Sequence, residues 1–236
     1  MALPRIAVLV LCFVIPAVAY RLGGTNLWLG YGVGYTLAAA LAAWSLAQDG
    51  ELRAALAPRA GDPTWAVGGA AVLFLALSAI MLKVVAPLAP LQICTADGAW
   101  VGPPEPRGFT VVTEWLRDHA CVAFARSAAF RGGRRALAIV AIAALEEVAW
   151  RGGVQTLVAE KFGSTRGVFI TAALFALAQL TTGNPAVALL ALPTGLLFGA
   201  LMRWRGTVFP AMLAHVVFSF FFFYQNSPLS MRAGAL

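Results

Sequence analysis

The sequence predicts an all-α, polytopic membrane protein with seven or eight transmembrane helices and its polar chemistry in the C-terminal ones. Three observations predict it. Of 236 residues, 61% are apolar and only 11% charged, against about 25% charged in an ordinary soluble domain. The apolar residues come in long uncharged runs, and about 20 such residues cross a roughly 30 Å hydrocarbon core as a helix. The net charge of +7 comes from Arg far more than Lys and sits beside those runs, where basic residues meet lipid headgroups and set topology. Together these exclude a soluble globular domain, a disordered tail and a nucleic-acid binder. The bilayer is the expected partner.

The first apolar run covers residues 6–20. Arg5 ahead of it, and Pro16 and Ala17-Val18-Ala19 at its end, also fit a cleaved signal peptide. A retained span is preferred because every later run is equally membrane-like. The second run, 26–47, opens with Gly30, Gly32 and Gly34. No strand precedes them and no Lys-Ser/Thr follows, so they read as small residues for close helix packing, not as a phosphate loop. A polar connector, 48–63, carries Asp49, Glu51, Arg53, Arg59 and Asp62. The third run is 64–85, with Lys83 snorkelling near its end.

Residues 86–108 are loop-like, with Pro87, Pro90, Pro103, Pro104 and Pro106. Residues 109–130 mix Val111, Trp115, Leu116 and Phe124 with Glu114, Arg117, Asp118 and Arg126. They read as an amphipathic interfacial helix, or else as an eighth span. The fourth run is 136–159 and the fifth 167–180. The sixth, 186–202, carries the close-packing pair Gly195 and Gly199. The seventh is 207–224. The expected organisation is N-terminal transmembrane helices over 1–87, a loop plus interfacial helix over 88–134, an intramembrane core over 135–226 and a short tail over 227–236.

Cys12, Cys94 and Cys121 have no CxxC spacing and no nearby His, so neither a zinc nor an iron–sulfur site is expected. Cys94 and Cys121 share one connector; an oxidising compartment would allow them to pair and they are ordinary buried thiols otherwise, so no disulfide is expected. With seven spans and a cytoplasmic N-terminus, Arg5, Arg53, Arg59, Lys161, Arg166, Arg203 and Arg205 all fall on the cytoplasmic side, as basic residues prefer. Arg126, Arg131, Arg134 and Arg135 then fall outside. An eighth span would bring those four in and expel Lys161, Arg166, Arg203 and Arg205, so seven is preferred.

A charge at the centre of a span costs roughly 2.5–3.5 kcal/mol on an insertion scale. The fourth run nevertheless holds Glu146, Glu147 and Arg151. Glu147 and Arg151, four apart, share a helix face and pair. Glu146, rotated about 100° from Glu147, has no local partner. Helix glue accounts for Glu147 and Arg151 but poorly for Glu146, which points to function. A buried carboxylate beside another suits a general base, which then needs water and an oxyanion stabiliser. The other intramembrane polar candidates are Gln179 in the fifth run, and His215 and Ser219, four apart, in the seventh. Gln179 is as much a helix-bridging amide as a site residue. His119, among charged neighbours, reads as interfacial.

Glu146-Glu147-x-x-x-Arg151, Phe175-x-x-x-Gln179 and His215-x-x-x-Ser219 resemble the three motifs of the CPBP family, the CAAX-processing and bacteriocin-processing (Abi) intramembrane proteases. Those motifs are E-E-x-x-x-R, F-x-x-x-H and H-x-x-x-N or H-x-x-x-D on successive helices. The resemblance covers residues 135–224. It implies a glutamate-type endopeptidase without cofactor or metal, in which Glu146 activates a water. Glu147 and Arg151 support its helix and polarise the site, and His215 with Ser219 stabilises the oxyanion. It also implies a membrane-associated peptide or protein substrate. The Ala, Arg and Gly bias with few Lys suits a bacterial source with a G+C-rich genome, and the expected location is the bacterial inner membrane. Two departures stand out. Gln179 replaces a histidine, and an amide holds water but does not exchange a proton near neutral pH. Ser219 replaces Asn or Asp and reaches less far. A catalytically impaired membrane scaffold or immunity protein is therefore the alternative. A proton-coupled transporter ranks last for want of internal repeats.

Overall fold

The computed structural model of the chain describes residues 3–22, 26–80, 93–94, 100–101, 133–181 and 185–221. The proposed interfacial helix over 109–130, His119, Cys121, Lys83, the prolines of 86–108 and the tail over 227–236 lie outside the described residues. Among the described residues the chain is helical, apart from one antiparallel bridge pairing β1 (Ile93–Cys94) with β2 (Trp100–Val101).

The helices follow the apolar runs. They are α1 (Leu3–Leu22), α2 (Asn26–Gln48), the single turn α3 (Leu52–Leu56) and α4 (Asp62–Ile80). Next comes a rod made of α5 (Gly133–Glu147), a π-helical segment (Val148–Gln155) and α6 (Thr156–Phe162). The last three are α7 (Ser164–Leu180), α8 (Pro185–Arg205) and α9 (Phe209–Ser219). Counting the rod once, seven long helical elements are described. One segment, Leu29–Gln48, is both long and apolar enough to cross a membrane by length and composition. Pro4–Ala19, Asp62–Leu77, Ser164–Leu180 and Phe209–Ser219 are apolar but shorter.

Polar contacts fix the directions of the helices. Arg5, at the start of α1, reaches Asp49 just past α2, donates to Ser45 Oγ at 2.9 Å, and donates to Glu160 of α6 at 2.5 Å. Arg205, at the end of α8, donates to Asp62 Oδ1 at the start of α4 at 2.7 Å. The Val208 N–H donates to Ala55 O at 2.7 Å. Thus α1, α4 and α9 start where α2, α6 and α8 end, and consecutive long helices alternate in direction. The turns at this end need glycine in the left-handed region. Gly163 (φ +87°) separates α6 from α7, and Gly206 (φ +69°) follows α8.

Two apolar clusters hold the bundle. One gathers Val8, Cys12, Tyr35, Ile142, Trp150, Val154 and Phe175 around the π segment. The other joins α4, α8 and α9 through Leu73, Leu77, Phe198, Leu201 and Phe218. Backbone approach is close where glycine permits it. A Cβ on Gly153 would lie 2.9 Å from Val8 Cγ1, and one on Gly195 would lie 3.0 Å from Ala172 Cα. The outer face is apolar, with Val33, Leu37, Val72, Leu75, Leu137, Phe169 and Leu189 more than half exposed. That surface suits hydrocarbon better than water.

Candidate active site

The site lies where the two clusters meet. Glu146 and Glu147 are the last residues of α5, and Arg151 projects from the π segment one turn later. A π segment inside an α-helix often marks a functional site. Glu147 and Arg151 are fully buried. Arg151 Nη1 donates to Glu147 Oε1 at 3.1 Å, and Nε lies 3.1 Å from Oε2. The second contact is an ion pair without hydrogen-bond alignment. Arg151 Nη2 donates to Gly195 O at 3.1 Å. The guanidinium also lies 5.2 Å from the Phe175 ring centre and 5.6 Å from that of Phe198, within cation–π range. The one cation of the fourth run is thus clamped between α5, α7 and α8.

His215 enters from α9. Its Nδ1 lies 2.8 Å from Glu147 Oε1, and its ring stacks on Phe198 at 4.8 Å. Glu147, ion-paired with Arg151, accepts, so Nδ1 carries the proton and the ring orientation is set. Nε2 is then turned to Glu146, 3.8 Å from its Oε2. That distance is too long for a direct hydrogen bond and suits a bridging water. Glu146 and His215 keep slight exposure, at 9% and 8%, whereas Glu147 and Arg151 have none. The polar cluster is therefore buried throughout, completely on its Glu147–Arg151 side and with a trace of exposure on its Glu146–His215 side.

Four of the six expected residues, Glu146, Glu147, Arg151 and His215, stand together. Phe175 of the second motif is also there, edge-on to Trp150 at 5.2 Å. Gln179 is buried one turn beyond Phe175 on α7, and Ser219 is buried one turn beyond His215 on α9. Sequence reasoning missed three contributors. Gln155 donates through Nε2 to Gly199 O at 3.0 Å. It extends the stripe Glu147, Arg151, Gln155 at a spacing of four, facing Gly195 and Gly199 at the same spacing. The matched spacings were a readable signal. Phe198 is the single aromatic of its apolar run and Tyr35 one of several in its own, and neither gave one.

Residues 134–221 match the family model described as type II CAAX prenyl endopeptidase Rce1-like. The match supports the CAAX-protease family to which the three motifs point, and all six motif residues lie within it. No curated protein and no solved structure matches the chain.

Proposed function

We propose that this chain is a glutamate-type integral membrane endopeptidase that hydrolyses a peptide bond in a membrane-associated substrate. In this reading Glu146 takes a proton from a water held between it and His215, and the water oxygen attacks the scissile carbonyl carbon. The oxyanion accepts hydrogen bonds from His215 Nε2–H and the Ser219 hydroxyl. The intermediate collapses as Glu146 returns the proton to the leaving amine. A donor at Nε2 requires the imidazolium, and the charges accommodate it: Glu146, Glu147, Arg151 and His215⁺ sum to zero, which limits the cost of burial. The observation that carries the reading is the Arg151–Glu147–His215 chain, which turns Nε2 to Glu146 at 3.8 Å.

The helices are read as seven spans. At one end of the bundle Trp44, Trp65 and Trp204 are about half exposed. Trp65 and Trp204 meet edge to face at 4.1 Å, as interfacial aromatics do. Arg53, Arg59, Lys161, Arg166, Arg203 and Arg205 sit at the same end, which supports reading it as the cytoplasmic end in a bacterial inner membrane. Gln179 favours a second reading, a scaffold or immunity protein that binds a peptide in the same cavity without cutting it.

Comparison of protein termini in membranes of wild-type, deletion and Glu146→Gln strains, at matched abundance, tests the proposal. A defined set of termini should vanish in both mutants. If no termini change while Glu146→Gln restores the phenotype of the deletion, the scaffold reading replaces the protease.

A further inference from the structure

The buried polar atoms around Glu146 are not all accounted for by the three motifs. Tyr35 of α2 has no exposed surface, and its hydroxyl makes no well-aligned hydrogen bond; the same holds for Trp150 Nε1. An unpaired buried hydroxyl or indole N–H bears the desolvation cost with no bond in return, so two in one cluster call for an explanation. Both sit in the cluster that also contains Ile142, Cys12 and Phe175. Tyr35 and Trp150 share that buried cluster, and α2 packs both on α5, which ends in Glu146 and Glu147, and on the π segment that carries Trp150. Trp150 is four residues after Glu146, one turn along the same rod.

The donor inventory leaves one consistent arrangement. The indole N–H donates only, the phenol both donates and accepts, and the carboxylate accepts. A small rotation then links Trp150 Nε1–H to Tyr35 Oη, and Tyr35 Oη–H to Glu146, satisfying both orphan groups at once. The ring of Tyr35 is held for this by stacking on Tyr31, at 6.0 Å and 18° between planes, and by burial against Trp150. His215 of α9 also approaches Glu146, so the carboxylate has a polar neighbour on each of two separate helices.

Resting on the proposed protease reading, we infer that Tyr35 is a positioning residue for Glu146: its phenol hydrogen-bonds the carboxylate and fixes the oxygen that faces the reacting water. The residue comes from α2, outside the family-matched stretch 134–221, so the N-terminal helices complete the site and do more than anchor it. It also supplies Glu146 with an ordered polar partner in a chain where Gln179 stands in place of the motif-two histidine.

The test uses the full chain in lipid nanodiscs, as wild type, Tyr35→Phe, Tyr31→Phe and Glu146→Gln. The probe is a synthetic peptide spanning a junction found by the termini comparison. Infrared pH-difference spectra identify the Glu146 carboxyl band as the one missing in Glu146→Gln. Tyr35→Phe should move that band to higher wavenumber and lower kcat roughly ten- to a hundredfold with KM unchanged, the pattern of an interaction made at the transition state. Tyr31→Phe should leave both at wild-type values. If Tyr35→Phe fails to fold, 3-fluorotyrosine at position 35 keeps the shape and makes the phenol more acidic. It should then shift the band and the rate, which a packing role would not. An unmoved band with wild-type kcat, while Glu146→Gln is inactive, overturns the role of Tyr35 and leaves the protease standing. Full hydrolysis by Glu146→Gln overturns the catalytic role of Glu146, and with it that of Tyr35; no hydrolysis by wild type overturns the protease reading itself.

Discussion

Arg151 is where the structure concentrates its electrostatic risk. Its guanidinium is fully buried, reaches Glu147 and Gly195 O, and lies against two phenyl rings. Removing one partner of a buried pair strands the other, at about 3–5 kcal/mol. Arg151→Ala should therefore reduce folded protein far more than Glu146→Gln, which keeps shape and hydrogen-bonding capacity. Arg151→Lys should not rescue it, because a point charge on a flexible stem replaces neither the two-pronged approach to Glu147 nor the reach to Gly195. Thermal unfolding of the purified variants in one detergent checks this; equal midpoints for Arg151→Ala and wild type would sink it. The sequence announced this group because charges in an apolar run are costly enough to be conspicuous. Tyr35 was not announced. A tyrosine among apolar residues is ordinary, and only the packing of α2 on α5 and the π segment brings it into the cluster around the site.

At the scale of helices, glycines decide how closely the chemistry-bearing rod is embraced. On Gly199 a Cβ would sit 2.8 Å from Gln155 Oε1 and 3.1 Å from Val168 Cγ1, whereas on Gly32 it would meet nothing within 4 Å. Gly199→Ala pushes the Gln155 amide that bonds Gly199 O and crowds Val168, and overpacking of a tightly packed site costs about 1–3 kcal/mol. Gly32→Ala should be neutral or slightly stabilising, since a helical Ala is favoured over Gly by about 0.8–1.0 kcal/mol. Equal thermal midpoints for the two variants would contradict the packing argument. The helices themselves were legible as apolar runs, to within a few residues in most cases. The π segment was not. It inserts no proline and breaks no pattern, and it is visible only as two helices, α1 and α2, and the turn before α9 closing on Gly152 and Gly153: a Cβ there would approach Leu46, Val208, Val8 and Ala42. Sequence reading also assigned the Gly195/Gly199 pair to helix packing alone, whereas their carbonyls accept hydrogen bonds from Arg151 and Gln155. A backbone acceptor leaves no mark on composition.

For the whole molecule, the helix directions gather the basic connectors at one end of the bundle. Arg5 links the start of α1 to the ends of α2 and α6, and Arg205 links the end of α8 to the start of α4. The connectors carrying Arg53, Arg59, Lys161, Arg166, Arg203 and Arg205 therefore share one end of the bundle. Arg21, near the end of α1, and Arg134, at the start of α5, lie at the other. Basic residues are retained on the cytoplasmic side, and partners such as Asp49, Asp62 and Glu160 do not reverse the bias, because acidic residues contribute little to orientation. The turn after α2 should thus be cytoplasmic and the end of α1 external. Single cysteines at Glu51→Cys and Arg21→Cys, probed in intact cells with a membrane-impermeant maleimide against the parent protein, read this directly. Arg21→Cys should label from outside, and Glu51→Cys only after the inner membrane is permeabilised. The reverse pattern would invert the molecule and place the basic, Trp-flanked end outside. Labelling of both positions from the same side would mean that α2 does not cross, and would remove the membrane-spanning premise on which an intramembrane Glu146 depends.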